Sequence, residues 1–346
     1  MSDEENITPQ NNFFLMGQED AERTVLEAYK NNKLHNSWLI SGEKGIGKTT
    51  FAYKFARFLL SEKKGTESLN TSPDSLSNKL ITSASHPDLK FVERGYIETD
   101  RKKIIKAIRS GEPMSEAELQ NLKKSAVIRV DDVREINEFM AKKSSQDGWR
   151  IVIVDSIDDM NTAAANALLK ILEEPPAKSI IMLISHNVGK LLPTIKSRCS
   201  KLELKPLADN IVVSLLRRYR PQLEEKKIAG IAKMSSGSIG KALNYADCGA
   251  LQVYDGLQKI VYSGKNFKLD NLLEWVNNVL SDNDTYALAQ ELILKFCSDN
   301  IAGCRDVEEM ARVWENAVRV FRQCDSLNMD RKHVLINIVA ELCKIN

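Results

Sequence analysis

Residues 42–49 read Gly-Glu-Lys-Gly-Ile-Gly-Lys-Thr, a full match to the spacing G-x-x-x-x-G-K-[ST]. The spacing has a physical reason. Glycines let the backbone turn successive N–H groups inward around phosphate oxygens, while a lysine reaches the terminal phosphates and a hydroxyl holds Mg²⁺. A helix starting there adds the positive end of its dipole. The candidate phosphate-binding residues are Gly42, Glu43, Lys44, Gly45, Ile46, Gly47, Lys48, Thr49 and Thr50, and ATP is the first ligand to consider. Asp155 ends an apolar run, Arg150-Ile-Val-Ile-Val-Asp155, the place from which phosphate-loop proteins bring a carboxylate to the metal. Thr49 and Asp155 are therefore the candidate Mg²⁺ pair. The next position carries Ser156, and a hydroxyl is a poor general base at neutral pH. Asp158 and Asp159 can substitute for a base or cap a helix.

Two further segments bear polar groups at element ends. Ser185-His186-Asn187 follows the apolar run Ile180–Ile184, so Asn187 can point at a terminal phosphate or simply form a turn. His186 has no partner at metal-ligand spacing and receives no role. Arg198 follows Leu192-Pro-Thr-Ile-Lys-Ser. Its planar guanidinium suits either a surface salt bridge or a phosphate on a neighbouring chain.

Positioning these residues requires a sheet. Short apolar runs at 38–40, 89–92, 127–130, 151–154, 180–184 and 202–204 alternate with helical patterns, which predicts a mainly parallel sheet covered on both faces. Phe51, Phe55 and Leu59 share one face of the helix expected after the glycine loop. Another helix is expected to start near Asp131-Asp132, where acidic residues favour an N-terminus, and a third runs from Asn161 to Glu174 before Pro175-Pro176 stops it. Residues 61–86 and 93–125 lack apolar periodicity or carry dense charge, and are expected to be surface insertions, partly mobile. The basic cluster at Arg101-Lys102-Lys103 reads as a solvated face rather than a nucleic-acid contact.

After residue 206 only helical periods remain. Three domains follow: an α/β core over 1–205, a small helical lid over 206–252 and an all-α C-terminal domain over 253–346. A chain of 346 residues is long enough for such a division. With 49 Lys and Arg against 47 Asp and Glu, the net charge offers no general argument for nucleic acid. The acidic N-terminus lacks an apolar leader, and no stretch approaches the roughly 18 apolar residues of a membrane span, so the expected location is the cytoplasm. Six scattered cysteines without a C-x-x-C pair make a zinc site or a disulfide framework unexpected.

Three stretches together resemble the clamp-loader branch of the AAA+ ATPases: Leu39–Tyr53 around the glycine loop, Asn161-Thr-Ala-Ala-Ala-Asn-Ala-Leu-Leu-Lys-Ile-Leu-Glu-Glu-Pro-Pro176, and Leu191-Leu-Pro-Thr-Ile-Lys-Ser-Arg-Cys199. The resemblance covers roughly residues 9 to 243. It implies an AAA+ parallel-sheet core, a helical lid and a helical collar that packs into a hetero-pentameric ring of related subunits. The expected partners are therefore the motor and delta subunits, a sliding clamp and, through the assembled complex, primed DNA, in a DNA-directed DNA polymerase III holoenzyme. Ser197-Arg198-Cys199 matches the family's SRC motif, which implies a trans-acting arginine finger at Arg198. Asn187 takes the sensor 1 position, and Lys48, Thr49 and Asp155 match the two Walker motifs.

Departures from the family's motor subunits are Ser156 in place of an acidic residue, Gly240 in place of the sensor 2 arginine with Lys241 after it, and no cysteine in 61–98. They imply weak or absent ATP turnover by this chain alone, and no zinc. The competing readings are a self-sufficient motor, supported by the intact loop and Asp155, and a structural ring member with a relic loop.

Overall fold

The computed structural model describes residues 7–61, 67–111, 114–115, 118–119, 122–142, 144, 148–301, 306–327 and 329–345. It divides into two compact units, Met1–Ala208 and Asp209–Asn346. In chain order the first unit contains α1 (Glu19–Lys30), β1 (Ser37–Ser41), α2 (Lys48–Leu60), α3 (Leu76–Thr82), β2 (Leu89–Glu93), α4 (Glu98–Ser110), α5 (Val130–Ala141), β3 (Arg150–Asp155), α6 (Thr162–Glu173), β4 (Ser179–Ser185), α7 (Pro193–Arg198) and β5 (Ser200–Glu203).

All five strands run parallel, in the order β2-β3-β4-β1-β5. A strand buried on both faces must be apolar at every position, and its period of two then divides the residues between two cores. Trp38, Ile40, Ile151, Ile153, Ile180, Met182 and Ile184 pack with α2 residues Phe51 and Phe55 on one face. Leu39, Val152, Val154, Ile181 and Leu183 pack on the other with Leu168 of α6 and Ile195 of α7. Val154 and Asp155 pair with Leu183 and Ile184, and Ser41 pairs with Ser185. The carboxyl ends of β1, β3 and β4 thus finish at one level, beside the loop between β1 and α2.

Local sequence sets the helix ends. The Asn161 side chain accepts the Ala164 N–H at 2.8 Å and so caps α6. The Asp132 carboxylate accepts the Arg129 N–H at 2.8 Å at the start of α5. Arg57 of α2 is almost fully buried: it donates to the Asn12 carbonyl at 3.0 Å and to the Gln10 carbonyl, and lies 4.1 Å over the Phe13 ring. Arg57 thus ties the N-terminal segment to the core, together with the Gln10 amide, which donates to the Ile81 and Thr82 carbonyls.

One expectation needs correction, and two largely exposed stretches also carry buried residues. The run 127–130 is not a strand: Ile128 makes one isolated bridge to Met160, and α5 has already begun at Val130. Only Ile128 and Val133 are needed in the core there, and the following aspartates favour a helix N-terminus. Within 61–86, Leu69, Asn78 and Ile81 are each about 1% exposed, so this mostly exposed stretch also supplies core. Asn78 is satisfied by Thr71 and the Ser72 carbonyl at 2.9 and 2.6 Å. The charged stretch 93–125 includes α4, where Asp100 is buried against Lys103 and the Lys123 N–H. Both bonds hold its carboxyl below the usual range. Residues 62–66, 112–113, 116–117 and 120–121 of those two stretches lie outside the described residues.

The second unit is helical: α8 (Asp209–Tyr219), α9 (Glu225–Met234), α10 (Ile239–Asp247), α11 (Ala250–Tyr262), α12 (Leu269–Val279), α13 (Asn283–Asn300), α14 (Val307–Ser326) and α15 (Arg331–Ile345). It carries both the helices read as a lid and those read as a C-terminal domain. Leu257, Val276, Leu292, Phe296, Leu335 and Leu342 are fully buried or nearly so, and the Trp275 indole donates to the Val253 carbonyl at 2.9 Å. Gly240 and Lys241 open α10, where Lys241 pairs with Glu291 at 3.3 Å. The five described cysteines are free. Burial pushes the Cys199 thiol up to about 11 and that of Cys297 to about 12. Cys304 lies outside the described residues. Among the described residues no helix is long and apolar enough to cross a membrane.

Candidate functional site

Chain direction reverses between β1 and α2 within six residues, and glycines make that possible. Gly42, Gly45 and Gly47 adopt φ of +139°, +83° and +98°, a region that side chains rarely enter. At Gly42 space is excluded as well, since a Cβ would stand 2.4 Å from the Leu204 carbonyl oxygen and 2.7 Å from Ile46. Ile46 is fully buried and pins the loop to the core, whereas Glu43 and Lys44 are exposed. Thr50 is buried at the first turn of α2.

Lys48 is 3% exposed. Its ammonium donates to the Gly42 carbonyl at 2.7 Å and to the Glu43 carbonyl. Burial lowers its pKa to about 8, opposed by the negative charges of Asp155, Asp158 and Glu43. Desolvation disfavours a lone ammonium, and the three carboxylates offset part of that cost. Thr49 stands next to it, and its hydroxyl donates to Asp155 Oδ2 at 2.6 Å, across 106 positions of sequence. The predicted Mg²⁺ pair is thus in contact.

Among the described residues no group of three or more His, Cys, Asp or Glu side chains could hold a metal ion. A divalent ion here would take Thr49 and Asp155 together with oxygens of its ligand and water, the usual arrangement for Mg²⁺ on a phosphate. The donor set fits a magnesium-bound phosphate: a buried cation, a hydroxyl and carboxylate in contact, and a backbone loop too tight for side chains.

Ser156 is buried beside Asp155 and supplies no carboxylate. Asp158 neither caps an α-helix nor stands free as a base. From the 3₁₀ turn Ile157–Asp159 it accepts the Ser185 hydroxyl at 2.9 Å, the His186 N–H at 2.5 Å and the Asn187 N–H at 3.2 Å. Asp159 is taken up by Arg94 at 3.3 Å. The Asn187 side chain is exposed, and its Oδ1 accepts the Gly189 N–H at 3.1 Å, a local turn at the end of β4. His186 lies in the field of the loop: burial and the charges of Lys48 and Lys44 lower its pKa, against Asp155 and Asp158.

Sequence reasoning missed Gln18. It is 5% exposed, and its amide donates to the Lys205 and Ile46 carbonyls at 2.9 and 3.3 Å, bracing the loop from behind. An isolated glutamine before a helix carries no signal of that role.

Arg198 is separate from this constellation. At the end of α7 its guanidinium donates to the Thr194 carbonyl at 3.0 Å and pairs with Glu173 of α6 at 2.6 Å, with about a third of the side chain exposed. The surface salt bridge expected from sequence is present. An exposed cation in such a pair keeps the capacity to exchange partners.

Fold and site define a parallel α/β protein whose helices cover both faces of the sheet and whose glycine loop lies at the strands' carboxyl ends. Residues 17–208 match the family model described as "DNA polymerase III, delta subunit". The chain belongs to that family. It is 28% identical over 230 residues to DNA polymerase III subunit delta' of Pseudomonas aeruginosa, covering 65% of this chain and 61% of that protein. It is 26% identical over 316 residues to the tau subunit of Bacillus subtilis, covering 89% and 48%. The solved structure of a gamma subunit-related protein from Thermotoga maritima overlaps 93% of this chain and 99% of its own, at 20% identity and a TM-score of 0.42. The chain spans less than two thirds of the length of these curated relatives.

Proposed function

We propose that this chain is a delta prime-type subunit of the DNA polymerase III clamp loader, an AAA+ protein that binds ATP with Mg²⁺ and lends Arg198 to a neighbouring motor subunit. One observation carries the nucleotide reading: the contact of Thr49 with Asp155 at 2.6 Å beside the buried Lys48. A relic loop has no need to keep both features. The loop N–H groups and Lys48 would hold the phosphates, and Thr49 and Asp155 the metal. Bound Mg²⁺ would neutralise phosphate charge.

Turnover by the chain alone is expected to be slow. Ser156 occupies the position next to Asp155, and the Asp158 carboxylate is engaged by three donors of the β4 tip. Arg198 sits on the surface, held by one exchangeable ion pair, which suits a group that completes a site on another chain. In this reading the partners are the motor and delta subunits of a five-membered ring, the sliding clamp, and primed DNA met through the assembled complex, in the cytoplasm. The loader tracks DNA through its phosphate backbone rather than its bases.

The test is nucleotide titration of the purified chain beside Lys48→Ala, with turnover measured on the same samples. Loss of a charge-assisted contact weakens binding roughly 10- to 150-fold. Binding without turnover is the expected result. Fast turnover by the wild-type chain would make it a motor, and no binding at all would leave the loop without a ligand.

A further inference from the structure

The carboxylate of Asp158 draws together groups that the sequence sets 27 to 29 positions away. Its three donors are successive residues, Ser185, His186 and Asn187, at the carboxyl end of β4. Ser185 is fully buried, so its hydroxyl has little alternative to this bond. The turn that carries Asp158 is itself fixed: the Asp159 carbonyl accepts the Ile128 N–H at 2.8 Å, and the Asp159 N–H donates to the Ser156 carbonyl at 3.1 Å. Asp155, three residues earlier, is paired in register with Ile184 and holds Thr49. A rigid path therefore runs from the metal pair through the 3₁₀ turn to the tip of β4.

Backbone N–H groups at a strand end normally find water or a neighbouring turn. Three donors converging on one carboxylate is a stronger restraint than a turn needs, because bonds to an ionised acceptor are about twice as strong as neutral ones. The same carboxylate lies in the field of Lys48 and opposes the loss of its charge. His186 shares that field, which places the tip within electrostatic reach of the phosphate loop.

We propose that Asp158 is a positioning residue that fixes the tip Ser185–Asn187 relative to Asp155 and so determines how the terminal phosphate of a bound nucleotide is distinguished. This rests on the nucleotide-binding reading above. Among the described residues the hydrogen bonds Asp158 accepts come from the tip of β4, and it acts through the backbone it holds. Asp158→Asn removes the charge and keeps the shape: one oxygen can still accept the Ser185 hydroxyl and the Asn187 N–H, through weaker neutral bonds, while the His186 N–H faces an amide that cannot accept it. The tip then relaxes, and the site no longer favours a triphosphate over a diphosphate.

The experiment is calorimetric titration of the full chain with Mg·ATP and with Mg·ADP, for wild type, Asp158→Asn and Ser185→Ala, with thermal midpoints recorded for each. Expected is a fall of about tenfold in the ratio of ATP to ADP affinity for Asp158→Asn, and a smaller fall for Ser185→Ala, which removes one of the three bonds. If Asp158→Asn fails to fold, Ser185→Ala alone decides, since its smaller fall remains measurable. Equal weakening of both nucleotides, in step with a lower midpoint, would mean that Asp158 only stabilises the turn, and overturns the proposal. An unchanged ratio overturns it too, as does a wild type that binds both nucleotides equally. A wild type that binds neither nucleotide fails differently, because it removes the nucleotide reading itself.

Discussion

Two cations of the first unit, Lys48 and Arg198, are held in opposite ways. Lys48 is 3% exposed, donates to two loop carbonyls and lies in the field of three carboxylates. Its position is set by the backbone of β1 and α2, with Gln18 and Ile46 behind the loop. Arg198 has one exposed ion pair and one carbonyl partner at the end of a six-residue helix. Exposed pairs contribute only about 0–1 kcal/mol, whereas a buried cation depends on every group around it. The fold therefore encloses one cation among its own groups and leaves the other at the surface in an exchangeable pair. A protein that only bound nucleotide would need the first alone; one that serves a neighbour needs both.

The largest effect that separates the two sites belongs to Arg198→Ala. In a reconstituted loader its removal is expected to lower DNA-stimulated ATPase by about 10³–10⁵, while nucleotide binding by the isolated chain stays within roughly twofold of wild type, as for surface changes generally. Arg198→Lys should recover little, because a point charge lacks the planar fork. An unchanged ATPase in the assembled complex would end the idea that Arg198 acts on another chain. Next in size is Asp155→Asn. Comparing ATP affinity with Mg²⁺ and with EDTA should show the metal-dependent gain falling by roughly 10- to 100-fold, the range for losing a metal-site partner. A gain that survives would move the metal away from Asp155. Smaller again is Gly42→Ala, which must enter φ +139° with its Cβ 2.4 Å from the Leu204 oxygen. Backbone strain alone costs about 1–3 kcal/mol, and a unit of this size loses roughly 2–4 °C per kcal/mol. Calorimetry should record a lower midpoint for the first unit together with weaker binding; a normal midpoint would show that the loop has a second conformation to adopt.

Much of the inward site was legible in the chain because local rules specify it. The glycine spacing and the apolar run ending at Asp155 each depend on neighbours within a few residues. The division of strand residues between two cores followed from the period of two alone. What stayed hidden depends on distant backbone. Gln18 meets Lys205 across 187 positions and Asp158 meets Ser185 across 27, and neither carries a motif. Leu69 and Ile81 lie in a polar stretch whose composition suggests a loop, yet both are buried. Val127–Val130 failed for the opposite reason: a short apolar run is compatible with a strand, but the acidic residues after it start a helix. The Arg198 alternatives were both visible from sequence, and the observed ion pair with Glu173 describes the chain by itself.

That ion pair gives the smallest and most discriminating test. Glu173 and Arg198 are both substantially exposed, so Glu173→Gln should change the stability of the chain by under about 1 kcal/mol and move the thermal midpoint by no more than a few degrees. The Thr194 carbonyl still holds Nη1 in this variant, so the guanidinium keeps part of its direction while losing its competitor within the chain. If the pair is merely where Arg198 rests between partners, the ATPase of the assembled complex should rise by up to about fivefold, the rate equivalent of 1 kcal/mol. Raising the ionic strength should shrink the difference between variant and wild type, since salt screens the exposed pair being removed. A tenfold fall in the variant would reverse the assignment. Glu173 would then be the residue that aims Arg198, and the outward cation would be as firmly positioned by this chain as the inward one.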